Sequence, residues 1–314
     1  MQRRNGRVVE CGGLENRCTA RYRGFESLFL RPQPKKPALE AGFFHFIPYL
    51  CLMAYIIIIL VSFFVAGLTF FSGFGLGTLL LPAFLLFLPV KTAVAATAIV
   101  HLANNILKVF LVWKHAVWSV VLKFGGPAIL AAFGGAMLLD RLSEVPALAT
   151  YYLGEGEYSV ELLKLVIAVL LIGFSAFELS GFLKSMKLNH RYLPVGGLLS
   201  GFFGGLSGHQ GALRAAFLIK AGLSRDQYIA TGVMCSIAVD VTRIFIYGLT
   251  FFGKNISTMQ ESGMLYVLFA GIGAAFAGTF TGSHLVKKVT MRNVRYIVSM
   301  GIILLAIALG AGII

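Results

Sequence analysis

The sequence predicts an all-α membrane protein, a polytopic helical bundle of two inverted repeats, each a glycine-broken helical hairpin plus three spanning helices. Three observations predict this fold. Of the 314 residues, 58% are hydrophobic and only 13% are charged, whereas soluble domains carry roughly 25% charged residues. Apolar runs of about 20 residues, the length that crosses a bilayer, recur along nearly the whole chain after residue 43. The third observation is a pair of similar glycine-interrupted apolar segments, one in each half.

The two glycine-interrupted segments indicate where a solute would bind. The first contains Ser72, Gly73, Gly75 and Gly77, and the second runs through repeated glycines from 196 to 211. Glycine lets a helix unwind, and unwound backbone is tolerated at membrane depth only where protein buries it or it lines a cavity. Paired segments of this kind are typical of secondary transporters, so Gly75, Gly77 and Gly211 are candidate substrate-binding positions.

The apolar runs divide the chain into two repeats, at 43–183 and 192–314, joined by a cytoplasmic basic loop at 184–191. In the first repeat, 44–90 is a hairpin or broken pair, and 92–113, 119–140 and 162–183 are spanning helices. In the second, 192–222 has arms too short for two crossings of about 20 residues each, so we expect it to be re-entrant. Helices at 227–252, 264–286 and 294–314 complete it.

The loop charges support an inverted arrangement, because an odd number of crossings turns the second repeat upside down. Basic residues are concentrated at 184–191 and 287–295, and Lys220 and Arg225 flank the exit of the second hairpin. The positive-inside rule places all of these in the cytoplasm. The loop at 141–161, rich in glutamate, then lies outside, as does the C-terminus. We therefore expect a multi-pass membrane protein in contact with lipid, which can also form homo-oligomers.

The head of the chain, 1–42, differs from the rest. It is polar and basic and has no apolar periodicity. Its segments at 13–17 and 23–31 resemble the peptide obtained when a transfer-RNA gene is translated, which points to a non-native head and an over-extended start. The alternative is a disordered basic tail at the membrane surface. Either way, a chain that begins near Phe43 is expected to insert normally.

Charged residues inside the predicted helices are candidates for charge or proton coupling. Asp240 and Arg243 lie near the middle of their helix, where charges are costly and usually functional. The matching positions of the first repeat hold Asn105 and Lys108, within one residue of register. The alternatives are a buried ion pair that locks helix packing and, for Lys108, a side chain that snorkels to the membrane edge.

Polar residues at the second break are candidates for substrate binding. Arg214 follows the break in the first turn of a half-helix, whose free N–H groups and dipole favour an anion. Its alternative role is to pair with Asp240. His209 and Gln210 lie within the break, although a lone histidine is more often a packing residue. Asn104, Asn105 and Lys108 follow His101 along one helix face and form a polar stripe that should face the protein interior.

Other classes of function find little support in the sequence. It shows no catalytic constellation, no metal-ligand spacing and no cofactor motif, so we expect neither an enzyme nor a cofactor. The net charge of +14 comes largely from the head and short loops, which is a membrane-orientation signal rather than a nucleic-acid footprint.

The glycine segments resemble those of the TauE/SafE family of membrane exporters for sulfite and organosulfur anions. The family repeats a segment of the form SGxxGxGGG followed by an apolar run and often proline. Ser72, Gly73, Gly75, Gly77 and Pro82 match the first copy. The second copy departs, with His209-Gln210-Gly211 where glycines are usual and Ala216 at the proline position. The resemblance spans roughly residues 50–314. The segment 205–214, together with 230–232 and Asp240, resembles one branch of the family.

This resemblance implies a secondary transporter of the bacterial plasma (inner) membrane that exports a small anion, sulfite or an organosulfonate, by alternating access. Arg214, Asn105 and backbone N–H groups would hold the anion, and the energy would come from a proton gradient or the membrane potential. The alternatives are a passive anion channel or permease for another small solute and, with least support, an intramembrane enzyme.

Overall fold

The computed structural model describes residues 40–72, 76–154, 156–180, 189–249, 264–285 and 291–314. The described part is mainly helical, as predicted. The first five helices are α1 (Glu40–Ser72), α2 (Leu76–Leu85), α3 (Val90–Val112), α4 (Trp118–Ser143) and α5 (Leu162–Leu179). The next five are α6 (Leu193–Ser207), α7 (Gly211–Leu218), α8 (Arg225–Tyr247), α9 (Met264–Leu285) and α10 (Met291–Gly310). Short 3-10 turns cover Trp113–His115 and His190–Tyr192.

Six stretches of the described helices are long and apolar enough to cross a membrane: Leu52–Thr69, Val90–His115, Trp118–Ser143, Leu162–Leu179, Arg225–Tyr247 and Leu265–Gly282. A shorter apolar helix covers Ser299–Gly310. These agree with the spans predicted from hydropathy. The predicted head lies outside the described residues up to 39, and α1 begins at Glu40, slightly before the predicted apolar boundary.

The predicted outer loop at 141–161 contains a β-hairpin that the sequence analysis did not anticipate. Strands β1 (Ala149–Leu153) and β2 (Gly156–Val160) pair antiparallel. The hydroxyl of Tyr151 donates to the carbonyl of Ala311 at 2.7 Å, and Gly312 packs against the backbone of Ser159. The hairpin therefore lies beside the C-terminal end of α10, at one end of the bundle.

The two halves of the chain interlock. The most extensive packing joins α4 of the first half to α6 of the second, followed by α9 of the second half against α1 of the first. In addition, α3 packs on α8 and α5 on α10. Each half thus covers apolar surface of the other. The fourth helix of the first half, α4, packs against α6, which opens the second half, and α9 packs in the same way against α1, which opens the first.

Glycine makes the two main helix contacts close. A methyl group at Gly197, Gly201 or Gly205 of α6 would lie 2.1 Å from a carbonyl oxygen of α4. On the other side of the bundle, a methyl at Gly278 of α9 would lie 2.0 Å from the carbonyl oxygen of Phe63 in α1. Small residues allow membrane helices to approach this closely, which favours van der Waals packing where the hydrophobic effect is absent.

The same contacts give the relative helix directions. The contact partners of Gly197, Gly201 and Gly205 are, in order, Phe124, Ala128 and Ala132, so α4 and α6 run the same way. In contrast, α3 and α8 run in opposite directions. His101 meets Asp240, while Val117, in the turn after α3, meets Thr231, which lies earlier in α8.

The second glycine segment breaks as predicted. Helix α6 ends at Ser207, Gly208 takes a left-handed backbone conformation with φ of 82°, and α7 starts at Gly211. A methyl group at Gly208 would also lie 2.7 Å from the Nη1 atom of Arg243, so glycine is required there on two counts. The first break, at 73–75, lies outside the described residues.

Candidate functional site

The carboxylate of Asp240 is the centre of a buried polar network. Its Oδ2 atom lies 2.6 Å from the Nδ1 atom of His101 and accepts a hydrogen bond from the Nδ2 atom of Asn105 at 3.2 Å. The other oxygen, Oδ1, accepts from Gln210 Nε2 at 3.0 Å and from Arg243 at 2.8 and 3.0 Å. Asp240 and Arg243 are both fully buried. Side chains from α3, α8 and the break before α7 therefore converge on one carboxylate.

Arg243 also closes the end of α6. Its Nη1 atom donates to the carbonyl of Gly204 at 3.4 Å, and the hydroxyl of Tyr247 donates to the next carbonyl, that of Gly205. The last carbonyls of a helix lack partners within the helix and carry a partial negative charge. Arg243 therefore links Asp240 to the C-terminal end of the broken helix, where the Gly204 carbonyl also accepts from the Gly208 N–H at 2.9 Å.

Arg214 lies on the other side of the break, in the first turn of α7. Its guanidinium donates to the hydroxyl of Ser236 on α8, and the Nε atom lies beside Gly232, one turn earlier on that helix. Gln210 is the residue before α7, and it makes no side-chain hydrogen bond that caps the helix. The positive end of the α7 dipole and the Arg214 charge thus occur together in the protein interior.

The polar stripe of α3 faces the same region. Asn105 donates to Asp240, while the Oδ1 atom of Asn104 accepts from the hydroxyl of Thr279 on α9 at 2.7 Å. Lys108 is 5% exposed, so it does not snorkel to the membrane edge. Within the described part of the chain, Lys108 makes no hydrogen bond or ion pair.

His209 and Gln210 fill the break itself. The His209 ring stacks on Phe174 of α5, with centroids 5.4 Å apart and planes 10° from parallel. Its Nδ1 atom lies 3.1 Å from the hydroxyl of Ser207. Both side chains are almost fully buried, yet the Nε2 atom of His209 and the Oε1 atom of Gln210 have no hydrogen-bond partner among the described residues.

The structure brings most of the predicted positions together and adds others. Gly211 begins α7 and Gly77 lies in α2, whereas Gly75 falls outside the described residues. His101 belongs to the Asp240 network and Ser236 accepts from Arg214. The sequence analysis placed His101 on the polar stripe but selected neither residue for the site. His101 precedes Asn105 by four residues on one helix face, and this spacing is the signal that could have identified it.

The alternative role of Arg214, as the partner of Asp240, stays a prediction from the sequence. Among the described residues, the Asp240 carboxylate has hydrogen-bond partners in His101, Asn105, Gln210 and Arg243. The buried ion pair of α8 is Asp240 with Arg243, one helical turn apart. Arg214 and Lys108 therefore add positive charge to a region whose carboxylate already has a cationic partner.

Comparison with known proteins identifies the family. A model of the sulfite exporter TauE/SafE family matches residues 57–309. The chain belongs to the TauE/SafE family. The match covers both glycine segments and all the side chains of the polar network. Neither a curated protein nor a solved structure matches the chain. As a TauE/SafE protein whose described residues include six helices that can span a membrane, it is a multi-pass membrane transport protein.

Proposed function

We propose that this TauE/SafE protein exports a small anion, sulfite or an organosulfonate, across a bacterial inner membrane by alternating access. The energy would come from a proton gradient or the membrane potential. The anion would bind between Lys108 on α3 and Arg214 on α7, close to the break between α6 and α7. The members of the Asp240 network would hold the break in place, with Arg243 adding to the positive field.

One observation carries this proposal: Lys108 and Arg214 are both buried, and Lys108 makes no hydrogen bond or ion pair within the described part of the chain. A charge within a membrane protein is costly unless it is paired, and like charges in a medium of low dielectric constant repel strongly. An anion between the two side chains would turn this repulsion into attraction. The arrangement therefore favours an anionic substrate over a cationic or neutral one.

The start of α7 supplies a second attraction for an anion. The first N–H groups of a helix have no partner within the helix, and the dipole places partial positive charge there. Arginine adds a planar pair of donors that matches the oxygen atoms of sulfite or a sulfonate group. Arg214 and the first turn of α7 can thus bind two oxygen atoms of one anion.

The packing of the two repeats supports alternating access. The corresponding third helices, α3 and α8, run in opposite directions and meet at Asn105 and Asp240, which occupy matching positions of the two repeats. This is the arrangement that an inverted repeat with an axis in the membrane plane would produce, and in such transporters one repeat rocks against the other around a central site.

The first experiment is uptake into proteoliposomes. The purified protein, reconstituted with an imposed pH gradient, would be offered sulfite, sulfonates, sulfate and thiosulfate in parallel. We expect saturable transport of sulfite or of a sulfonate, and counterflow when the opposite side is preloaded with that anion. Absence of transport for every anion would refute the proposed substrate class, while flux without saturation or counterflow would favour the passive channel.

The second experiment tests the two cations. Lys108→Gln and Arg214→Gln keep much of the side-chain length but remove the charge. Because a hydrogen bond to a charged group contributes about 1.5–3 kcal/mol, the anion affinity should fall about 10- to 150-fold in each variant. Lys114→Gln is the matched control, since Lys114 is exposed just beyond the end of α3. Equal affinities in all three variants would contradict the proposed site.

A further inference from the structure

Two hydrogen-bond acceptors at the break have no donor. The Oε1 atom of Gln210 and the Nε2 atom of His209 are buried without partners in the described part of the chain. The orientation of the Gln210 amide is fixed chemically. Its other end lies 3.0 Å from a carboxylate oxygen of Asp240, which can only accept, so that end must be the NH₂ group. The unpartnered end is therefore a carbonyl oxygen.

The tautomer of His209 follows from its neighbour. The hydroxyl oxygen of Ser207 lies 3.1 Å from the carbonyl of Phe203 and 3.1 Å from the Nδ1 atom of His209. We assign its single proton to the carbonyl, which leaves the Ser207 oxygen as an acceptor for His209. The His209 Nδ1 atom, 3.1 Å from that oxygen, is therefore the atom that carries the hydrogen. In the neutral ring, Nε2 then carries a lone pair and accepts hydrogen bonds.

An oxyanion alone does not satisfy these two atoms. Its oxygen atoms carry lone pairs, which attract Arg214 and Lys108 but repel the carbonyl oxygen of Gln210 and the Nε2 atom of His209. Buried polar atoms nearly always have a partner, and leaving one without it costs free energy. A ligand that fits the whole region must therefore bring a hydrogen-bond donor as well as a negative charge.

We propose that Gln210 and His209 are specificity-determining residues that accept a hydrogen bond from the transported anion. This inference rests on the function proposed above and narrows its substrate class. The anion is one that carries its own donor: either a singly protonated oxyanion, such as hydrogen sulfite, or a sulfonate with a hydroxyl or amino group. The negative end faces Arg214 and Lys108, and the donor faces the break.

The test compares two permanent monoanions of the same size. The compounds 2-hydroxyethanesulfonate and 1-propanesulfonate have equal numbers of non-hydrogen atoms and differ in a hydroxyl against a methyl group. Dissociation constants would be measured by calorimetry on the purified protein in detergent, without any gradient. We expect the hydroxyl compound to bind at least about 10-fold more tightly, because the methyl compound leaves buried acceptors without a partner.

The result also separates this inference from the proposed function. Equal affinities for the two sulfonates would overturn the inference, since water would then satisfy the two acceptors, while anion binding itself would stand. If the protein bound neither of the two sulfonates nor sulfite, the inference and the proposed function would both be overturned. Preference for the methyl compound would show that the break is an apolar subsite.

Sulfite provides the second arm, which tests the protonated oxyanion. Its affinity should rise as the pH is lowered through the range in which sulfite becomes hydrogen sulfite, while the affinity for 2-hydroxyethanesulfonate should stay constant. If sulfite and the hydroxyl sulfonate changed in parallel, the proton would be taken up by the protein, and the assignment of the donor to hydrogen sulfite would be wrong.

A variant assigns the preference to a residue. His209→Asn keeps a donor near the position of Nδ1, and hence the bond to Ser207, but removes the Nε2 acceptor. The ratio of the dissociation constants of 1-propanesulfonate and 2-hydroxyethanesulfonate should fall several-fold. A merely structural defect would weaken the binding of both compounds and leave this ratio unchanged. His190→Asn makes the same change at an exposed histidine and should retain the wild-type ratio. An unchanged ratio in His209→Asn would remove His209 from the proposal.

Discussion

Replacing Arg243 by glutamine tests whether the Asp240 network holds the fold together. Arg243 donates to one oxygen of Asp240 at 2.8 and 3.0 Å and to the carbonyl of Gly204 at 3.4 Å, and it is completely buried. Removing one partner of a buried ion pair costs about 3–5 kcal/mol, because the other charge remains without compensation.

The three remaining donors reduce this cost. His101 at 2.6 Å, Asn105 at 3.2 Å and Gln210 at 3.0 Å still bind the carboxylate, so we expect Arg243→Gln to lose about 3 kcal/mol. That loss lowers the ratio of folded to unfolded protein about 150-fold. The measurement is equilibrium unfolding of the purified protein in detergent, followed by circular dichroism.

The double variant separates charge from packing. Arg243→Gln together with Asp240→Asn removes both charges, and its stability should recover most of the loss, because no buried carboxylate remains. Arg214→Gln is the comparison variant, since it leaves the described hydrogen bonds of Asp240 in place, and it should be more stable than Arg243→Gln. The reasoning would be refuted if Arg243→Gln unfolded like the wild type, or if the double variant were no more stable than the single one.

Three further predictions follow from the packing and the chain direction. Gly208→Ala should impair anion binding more than Gly222→Ala. Both glycines have positive φ, but only a methyl group at Gly208 would lie close to Arg243, at 2.7 Å. Equal anion affinities of the two variants would contradict this prediction. Gly205→Ala should destabilise the protein in detergent far more than Gly134→Ala, because a methyl at Gly205 would lie 2.1 Å from a carbonyl of α4 while Gly134 has open space. A reporter enzyme fused to the C-terminus should be active outside the cytoplasm, and cytoplasmic activity would reverse the proposed orientation.

Much of the fold was predictable because membranes restrict the choices. A bilayer requires runs of about 20 apolar residues and backbone hydrogen bonds within each span, so hydropathy alone located α3, α4, α5, α8 and α9 to within a few residues. A break in the second segment was also predictable, because it has seven glycines between 196 and 211 and glycine favours unwinding of a helix.

The β-hairpin could not be predicted by the same reasoning. Strands β1 and β2 lie in a loop, where the bilayer imposes no length or hydropathy. Tyr151 and Tyr158 stack at 5.5 Å across the pair, and the Tyr151 hydroxyl reaches the carbonyl of Ala311, 160 residues away in the chain. The hairpin is thus stabilised by cross-strand contacts and a tertiary contact, and neither has a periodic signature in the sequence.

The candidate site was predictable in composition but not in pairing. Charged and amide side chains inside apolar helices identified Asp240, Arg243, Arg214 and Lys108, because each is costly in a membrane. Spacing alone could not decide which arginine would bind Asp240. Arg243 is one turn away on the same helix, and Arg214 lies 26 residues earlier, so the choice depended on how the break orients α7 relative to α8.

The difference between the two repeats explains the positive charge of the site. At matching positions, α3 carries Asn105 and Lys108, whereas α8 carries Asp240 and Arg243. In α8, the carboxylate compensates the arginine one turn away. In α3, the amide of Asn105 cannot compensate Lys108 and instead donates to Asp240. At these matching positions the second half has a buried ion pair, whereas the amide in the first half leaves Lys108 without a carboxylate partner among the described residues. A substrate anion would provide the charge that the first repeat lacks.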